Sequence, residues 1–184
     1  MYLYRVLIVL IFICLTGCSW FGGNKVSRDF SADQLMRSVD FGRILNKDAF
    51  KKGGRIAFDV FQAGDGVEAN EELDKIGLMM ADGFADVIKD RSGKFKIAES
   101  YDDADFIVDG YIVEKTKPGK MERWMPGKDV VTLAVEGEIR TTKDGQLVAV
   151  FRHRKAESGE KISHRVLGRN IGREVANFLV YEMK

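Results

Sequence analysis

The feature that most limits how this chain can fold is Cys18, which closes an apolar segment near the amino terminus. Residues 6–15 form that uninterrupted apolar run, and Arg5 is the single basic residue before it. A basic start, a short apolar run and small residues before a cut point are typical of a secretory signal peptide. A membrane-spanning helix would need about 20 apolar residues, twice the length of this run. We therefore predict that residues 1–17 are removed.

The four residues Leu15-Thr16-Gly17-Cys18 resemble the lipobox of bacterial lipoproteins. The resemblance implies cleavage before Cys18, with lipid attached to its thiol and to the new amino terminus. In Gram-negative lipoproteins an Asp after the cysteine marks inner-membrane retention, so Ser19 implies the outer membrane. The prediction is a lipid-anchored protein that faces the periplasm, with Cys18 as the lipidation site and residues 18–30 as a flexible tether.

The mature chain has balanced charge and no cysteine left for a disulfide. Removal of 17 of the 184 residues leaves 167, which fits one domain, placed at residues 31–184. Arg5 is the only charge removed, so 28 Lys and Arg face 28 Asp and Glu. A general nucleic-acid binder would be strongly basic, so no nucleic-acid partner is expected. Because Cys14 leaves with the signal and Cys18 carries lipid, the fold must depend on its hydrophobic core.

Two segments have the periodicity of amphipathic helices. Within residues 67–90, apolar residues recur every three or four positions, and acids crowd the first turns, where the helix dipole favours them. A second helix is expected at residues 162–182. One short helix, or two broken ones, is predicted after Ser31-Ala32-Asp33-Gln34, which resembles a capping box. Its apolar face would carry Leu35, Val39 and Phe41.

Alternating apolar and polar residues predict five strands. They span residues 55–61, 95–99, 105–114, 129–141 and 146–153. Between the last two, Asp144-Gly145 supplies the positive φ that a hairpin turn needs. Because the alternation is one-faced, helices should cover one side of the sheet only. The predicted fold is α/β, a two-layer sandwich with a mixed, mostly antiparallel sheet and helices on one face.

Two surfaces are candidates for partner binding. The loop at residues 115–128 mixes basic side chains with methionines and a tryptophan, a combination that protein interfaces favour. Its candidate residues are Met121, Arg123, Trp124 and Met125; alternatively, Trp124 folds back over the open edge of the sheet. The last helix carries a basic stripe in which no acid is interleaved at the same spacing, so like charges repel. The stripe consists of Lys161, Arg165, Arg169 and Arg173, and its alternative reading is a solvated helix face.

No stretch has the pattern of a catalytic or metal site. Residues 64–69 imitate a dinucleotide fingerprint, but nearby acids would repel a pyrophosphate. The aspartates at 102, 103, 105 and 109 match no calcium loop. His153 and His164 could meet as metal ligands, but no cysteine remains to join them. We expect no enzyme activity, no cofactor and no metal; a hydrolase using Asp109 or the histidines is the alternative from another class.

The folded part resembles periplasmic lipoproteins built on the fold of the TolB amino-terminal domain. The signature is Ile76-Gly77 opening a long helix, Lys94-Phe95-Lys96-Ile97 after it, and residues 104–110 ahead of a Thr-Lys-Asp-Gly-Gln turn. The group includes the curli-secretion lipoprotein, activator lipoproteins of penicillin-binding proteins and the Pel polysaccharide export lipoprotein. Uncharacterised small lipoproteins with an Arg-Trp loop, here Arg123-Trp124, before a Val-Glu-Gly strand are also similar. The resemblance covers about residues 55–182.

This resemblance implies a non-enzymatic binding or assembly factor of an envelope complex. Its partners would be the membrane, through lipid on Cys18, an envelope protein, and further copies of the chain in a homo-oligomer. The main alternative is an accessory subunit of a polysaccharide or lipid export system, whose basic loop contacts an anionic polymer. The long pore-forming insertions of the curli channel subunit are absent from the sequence, which argues against a secretion channel.

Overall fold

The fold is a mixed β-sheet with helices packed against it. A computed structural model describes residues 39–116, 130–159 and 162–182, which hold seven strands and three helices. The strands are β1 Phe41–Ile44, β2 Gly54–Phe58, β3 Gln62–Ala63, β4 Phe95–Ile97, β5 Phe106–Thr116, β6 Val130–Thr141 and β7 Leu147–Ser158. The helices are α1 Lys47–Phe50, α2 Glu71–Arg91 and α3 His164–Glu182. None of these three helices is both long and apolar enough to span a bilayer.

The strands form one sheet in the order β1-β7-β6-β5-β2-β4, and β3 also pairs with β5. The pairs β1–β7, β7–β6 and β6–β5 are antiparallel, whereas β2 and β3 run parallel to β5, and β4 runs parallel to β2. The two longest pairings, on either side of β6, are both antiparallel. The predicted α/β two-layer sandwich with a mixed, mostly antiparallel sheet is therefore confirmed.

The helices α2 and α3 lie side by side at very short range because glycines stand where they cross. A Cβ on Gly172 would lie 2.0 Å from the carbonyl oxygen of Met80, and one on Gly83 would lie 2.1 Å from that of Arg169. Any side chain at these positions would force the two backbones apart. Glycine lowers the intrinsic helix propensity at these positions, but it allows the two helix backbones to pack closely.

The core lies between this helix pair and one face of the sheet. Phe84, in the middle of α2, has no exposed surface, and its ring lies 5.0 Å from that of Phe58 on β2. Phe58 in turn stacks on Phe61 at 5.2 Å. From β6, the inward-facing side chains are fully buried: Leu133, Val135 and Ile139. The long helix and the alternating strands that the sequence predicts thus pack together along their apolar faces.

The structure corrects the prediction for the amino-terminal part of the domain. Phe41 belongs to strand β1 and is paired with Arg152, so the predicted helix does not include it. Pairing with the edge of β7 supplies backbone hydrogen bonds that the weak local helix pattern could not match. A four-residue helix, α1, follows because the Asn46 side chain caps the N–H groups of Asp48 and Ala49. The segment from Ser31 to Gln34 lies outside the described residues.

Several element boundaries also differ from the prediction. The helix predicted at residues 67–90 begins at Glu71, because the Asn70 side chain accepts the N–H of Leu73 at 3.1 Å and so fixes the start. The strand predicted at 55–61 ends at Phe58, and it is followed by the short strand β3, which was not predicted. Strand β7 runs five residues beyond the predicted end, because it stays paired with β6 as far as Ser158.

Candidate functional site

The described part of the basic stripe lies on the outer surface of α3. Cys18, the loop residues Met121, Arg123, Trp124 and Met125, and Lys161 lie outside the described residues. Arg165, Arg169 and Arg173 are all exposed. The structure therefore allows a test of the surroundings of these three arginines, whereas the role predicted for the loop stays a prediction.

The stripe is partly neutralised by acids of the neighbouring helix. Arg165 donates from Nε and Nη2 to the two carboxylate oxygens of Glu72, at 3.2 and 2.5 Å. Arg169 donates to Asp86 at 2.8 Å, and this hydrogen bond lowers the pKa of Asp86. Within α3 itself, no acid recurs at the spacing of the arginines. The acids that pair with these arginines belong to α2. Sequence periodicity could not show this pairing, since the partners are 93 and 83 residues apart.

A small apolar groove lies beside these ion pairs. It is lined by Met79, Val166 and Asn170, with Arg165 and Arg169 at its sides. Leu78 and Val166 are exposed on the outer helix surface, at 55% and 41% of their area. Arg173 stands two helical turns beyond Val166, and its charge helps to lower the pKa of Asp86, which is bonded to Arg169. We call the surface formed by Leu78, Met79, Val166 and Arg173 the helix ridge.

The opposite face of the sheet, away from the helices, is polar. Side chains alternate along a strand, so the buried residues of β5, β6 and β7 have neighbours that point to the other side. We call this second surface the open face; it is formed by Asp109, Tyr111, Glu114, Glu136, Glu138, Arg140, Arg152, Arg154 and, on β1, Phe41. Because no described helix lies on it, the open face is the main polar surface of the sheet.

Cross-strand ion pairs run over the open face. Arg154 binds Glu114 through two hydrogen bonds, of 2.8 and 3.1 Å, that reach across Ala134 of the intervening strand. Ala134 is buried, consistent with this bridge lying over it. Arg152 pairs with Glu136 across β7 and β6, whereas Arg140 pairs with Glu138 two residues away on the same strand. Opposite charges placed across strands stabilise a sheet modestly, so the two cross-strand pairs, Arg154–Glu114 and Arg152–Glu136, contribute a little to its stability.

Two aromatic side chains frame one row of the open face. Phe41, Arg152, Glu136 and Tyr111 are direct neighbours across four adjacent strands. Phe41 is 47% exposed and Tyr111 is 52% exposed. At about 4.8 Å between strands, the two backbone positions are about 14 Å apart. The row thus presents an apolar ring at each end and an ion pair between them.

Acidic groups are in excess at the β2 side of this face. Asp109 is partly buried; burial raises its pKa, the charges of Glu138 and Asp59 raise it further, and Arg140 opposes them. Tyr101 donates its hydroxyl to Asp59 at 2.6 Å, which raises the pKa of Tyr101 to about 12. Arg140 is already paired with Glu138. Asp59 and Asp109 therefore leave this corner with negative charge that no described cation fully balances.

The two histidines have separate structural partners. His153 is nearly buried on β7; its Nε2 lies 2.5 Å from a Glu174 oxygen, and its Nδ1 accepts the Asp40 N–H at 3.3 Å. Buried His164 places Nε2 2.9 Å from the carbonyl oxygen of Thr116. Across the described residues, no group of three or more His, Cys, Asp and Glu is placed to hold a metal. The structure thus does not bring the histidines together as ligands.

Glu174 is the centre of a cluster that sequence reasoning missed. It accepts from His153 and, at 2.7 Å, from Lys155. Burial alone would raise the pKa of Glu174, but these hydrogen bonds and the neighbouring positive charge lower it overall. The cluster ties α3 to β7, and Asp40 ties β1 to the same point by accepting the Arg154 N–H at 2.7 Å. No local motif predicts this cluster, because Asp40 lies 113 residues before His153 in the sequence.

The aspartates considered as a cation site are also used separately. Asp105 accepts the Arg55 N–H at 2.8 Å and thereby fixes the start of β2. Asp103 lies 3.7 Å from the Arg55 guanidinium, and Asp109 stands on the open face. These contacts support the interpretation of this segment as a structural turn.

Comparison with solved structures finds a similar fold. No protein-family model and no curated protein matches the sequence. A variant of PelC from Paraburkholderia phytofirmans, described as a dodecamer, is similar in structure with a TM-score of 0.52 and 12% identity, over 76% of this chain and 96% of that one. Another PelC dodecamer structure from the same organism has a TM-score of 0.49 and 13% identity, over 76% and 94%. Lipoprotein GNA1162 from Neisseria meningitidis has a TM-score of 0.42 and 9% identity, over 68% and 98%.

At 12% identity, the similarity to PelC concerns the fold. It confirms, at that level, the resemblance to lipoproteins of the Pel type that the sequence motifs indicated. It assigns no functional role to any residue of this chain.

Proposed function

We propose that this chain is a lipid-anchored protein of the periplasmic side of the outer membrane, and that it acts as a non-enzymatic binding or assembly factor of an envelope complex. It would work as a homo-oligomer. The observation that carries the proposal is its fold similarity to PelC, which forms a dodecamer. The lipobox-like Leu15-Thr16-Gly17-Cys18 supports the location.

The geometry of the polar clusters favours a binding role. Glu174 is held by His153 and Lys155, and the arginines of the open face are held by Glu114, Glu136 and Glu138. Groups engaged in this way keep surfaces rigid and charged, which suits recognition. Exposed aromatic and aliphatic side chains beside them are features of interfaces.

An alternative function is that of an accessory subunit of a polysaccharide or lipid export system that contacts an anionic polymer. The exposed Arg173 and the predicted basic loop favour it. The pairing of Arg165 with Glu72 and of Arg169 with Asp86 reduces the positive charge of the stripe, so we prefer the first function. Retention on an immobilised acidic polysaccharide at low salt, lost at high salt, would favour the alternative.

The test of the proposed function combines membrane attachment with subunit number. Full-length protein should fractionate with membranes, and Cys18→Ser should be released, because acyl chains contribute ~0.8 kcal/mol per buried CH₂. Wild-type protein extracted in mild detergent should have the native mass of a defined oligomer. A monomeric native mass, or an unchanged membrane fraction for Cys18→Ser, would contradict the corresponding part of the proposal.

A further inference from the structure

The sheet of this protein has helices on only one of its faces in the described residues. Sheets in α/β proteins with helices on both faces bury both, whereas here Phe41 and Tyr111 stand half exposed on the open face. Two aromatic rings in one cross-strand row, with an ion pair between them, form a surface suited to a packed partner.

The sheet edges are poorly suited to association. Strand β4 carries the exposed Lys96 and follows the exposed Lys94, and β1 carries the exposed Arg43. Charged residues, lysine above all, on short edge strands prevent edge-to-edge pairing. Two edges that both carry positive charge would also repel each other. Association of copies is therefore expected through the faces of the sandwich.

The helix ridge has the features that a partner for the open face needs. Leu78 and Val166 expose aliphatic surface, and Met79 lines the groove between the helices. The ion pairs of Arg165 and Arg169 lie beside this apolar strip. Both surfaces place exposed apolar side chains next to ion pairs, so the two surfaces match in character.

Their unbalanced charges are opposite. The open face has an excess of acid at Asp59 and Asp109, and burial with the nearby Glu138 makes the ionised form of Asp109 unfavourable. The helix ridge has the exposed Arg173, whose charge acts on Asp86, but Asp86 is already bonded to Arg169, so two arginines face one carboxylate and positive charge is in excess. A cation brought to Asp109 would relieve that cost, and Arg173 is a cation available on the ridge.

We propose that the helix ridge of one copy packs on the open face of the next copy, with Leu78 and Val166 against Phe41 and Tyr111 and with Arg173 directed to Asp109. This inference rests on the proposed function, because it names the surfaces through which the homo-oligomer forms. It gives each sheet a second helical layer, supplied by its neighbour.

Such a contact joins two different surfaces of the same chain. A contact of this kind continues from copy to copy and closes into a ring or grows into a filament, unlike a two-fold contact, which stops at the dimer. The arrangement has a strict consequence. A copy with a blocked open face still offers its ridge, and a copy with a blocked ridge still offers its open face.

Mixing two blocked variants tests this consequence. Full-length Tyr111→Glu blocks the open face, Leu78→Glu blocks the ridge, and Leu45→Glu is the matched control, because Leu45 is 45% exposed but belongs to neither surface. In mild detergent, native mass should show an oligomer for wild type and control, and monomers for each blocked variant alone. The equimolar mixture of Tyr111→Glu and Leu78→Glu should form a one-to-one dimer.

Each outcome separates the two proposals. A monomeric wild type would overturn the proposed homo-oligomer and this inference together. An oligomeric wild type whose blocked variants still assemble, or whose mixture stays monomeric, would overturn only the inference. A circular-dichroism melt of each variant near the wild-type temperature confirms that loss of assembly is not loss of fold.

A charge exchange supplies a second measurement. Asp109→Arg and Arg173→Asp should each raise the concentration needed for half-assembly by about tenfold or more, because each places like charges together. The variant that carries both changes should return close to the wild-type value. If the double variant assembles no better than the single variants, Arg173 does not meet Asp109.

Discussion

The two faces of the sheet are stabilised by different chemistry, although the same strands build both. On β6, Leu133, Val135 and Ile139 point to the helices and are fully buried, while Glu136, Glu138 and Arg140 point to the open face. Burial of a large apolar side chain is worth about 1.5–3 kcal/mol, whereas an exposed ion pair is worth about 0–1 kcal/mol. Folding therefore depends mainly on the covered face, and the open face contributes little to stability.

The largest effect should come from the centre of the covered face. Phe84→Ala removes a ring that has no exposed area and that contacts Phe58, so the free energy of unfolding should fall by about 3–5 kcal/mol. Chemical denaturation followed by circular dichroism measures it. A loss below about 1 kcal/mol would mean that α2 does not pack on the sheet as described.

The second effect concerns the helix crossing that closes the covered face. Gly172→Ala places a methyl group 2.0 Å from the Met80 carbonyl oxygen, so the helices must separate, at a cost of about 3 kcal/mol. Gly93→Ala is the matched control, since a Cβ there meets nothing within 4 Å. Equal melting temperatures for the two variants would contradict the close approach of α2 and α3.

A smaller effect is expected at the polar rim of the covered face, where Glu174 joins α3 to β7. Glu174→Gln weakens its bonds to His153 and Lys155 and should cost about 1–2 kcal/mol at pH 7. Because the pKa of Glu174 is lowered below its usual 4.5, its contribution is present above that value and is lost as pH falls through the folded-state pKa.

The measurement for Glu174 is a pair of denaturation curves at pH 7 and in acid. The difference between wild type and Glu174→Gln should shrink in acid. Asp48→Asn, on a fully exposed ion pair with Lys51, is the control and should change little at pH 7. A difference that is independent of pH would show that the charge of Glu174 contributes nothing.

The same contrast explains what sequence could predict. The covered face is built from periodic apolar residues. The helix around Phe84 and the strand β6 could therefore be predicted from the local spacing of these residues. The partners of the polar groups are set by tertiary packing. The pairing of the arginine stripe with Glu72 and Asp86 therefore could not be predicted from the sequence. Strand β1 was not predicted either, because its four residues form a strand only through pairing with β7.

The smallest effect, and the one most sensitive to the open face, is expected at Asp109. Its pKa is raised by burial and by Glu138, so the ionised carboxylate disfavours the folded state above that pKa, and the cost disappears as pH falls below it. In dilute, unassembled protein, Asp109→Asn should therefore raise stability at pH 7, by less than about 1 kcal/mol, and leave it unchanged in acid. At concentrations that support assembly, the neighbour's Arg173 would make the same carboxylate favourable, so the gain should vanish or reverse. Thermal unfolding of full-length wild type and Asp109→Asn at both concentrations measures the difference. An equal gain at both concentrations would mean that no second copy of this chain brings a cation to Asp109.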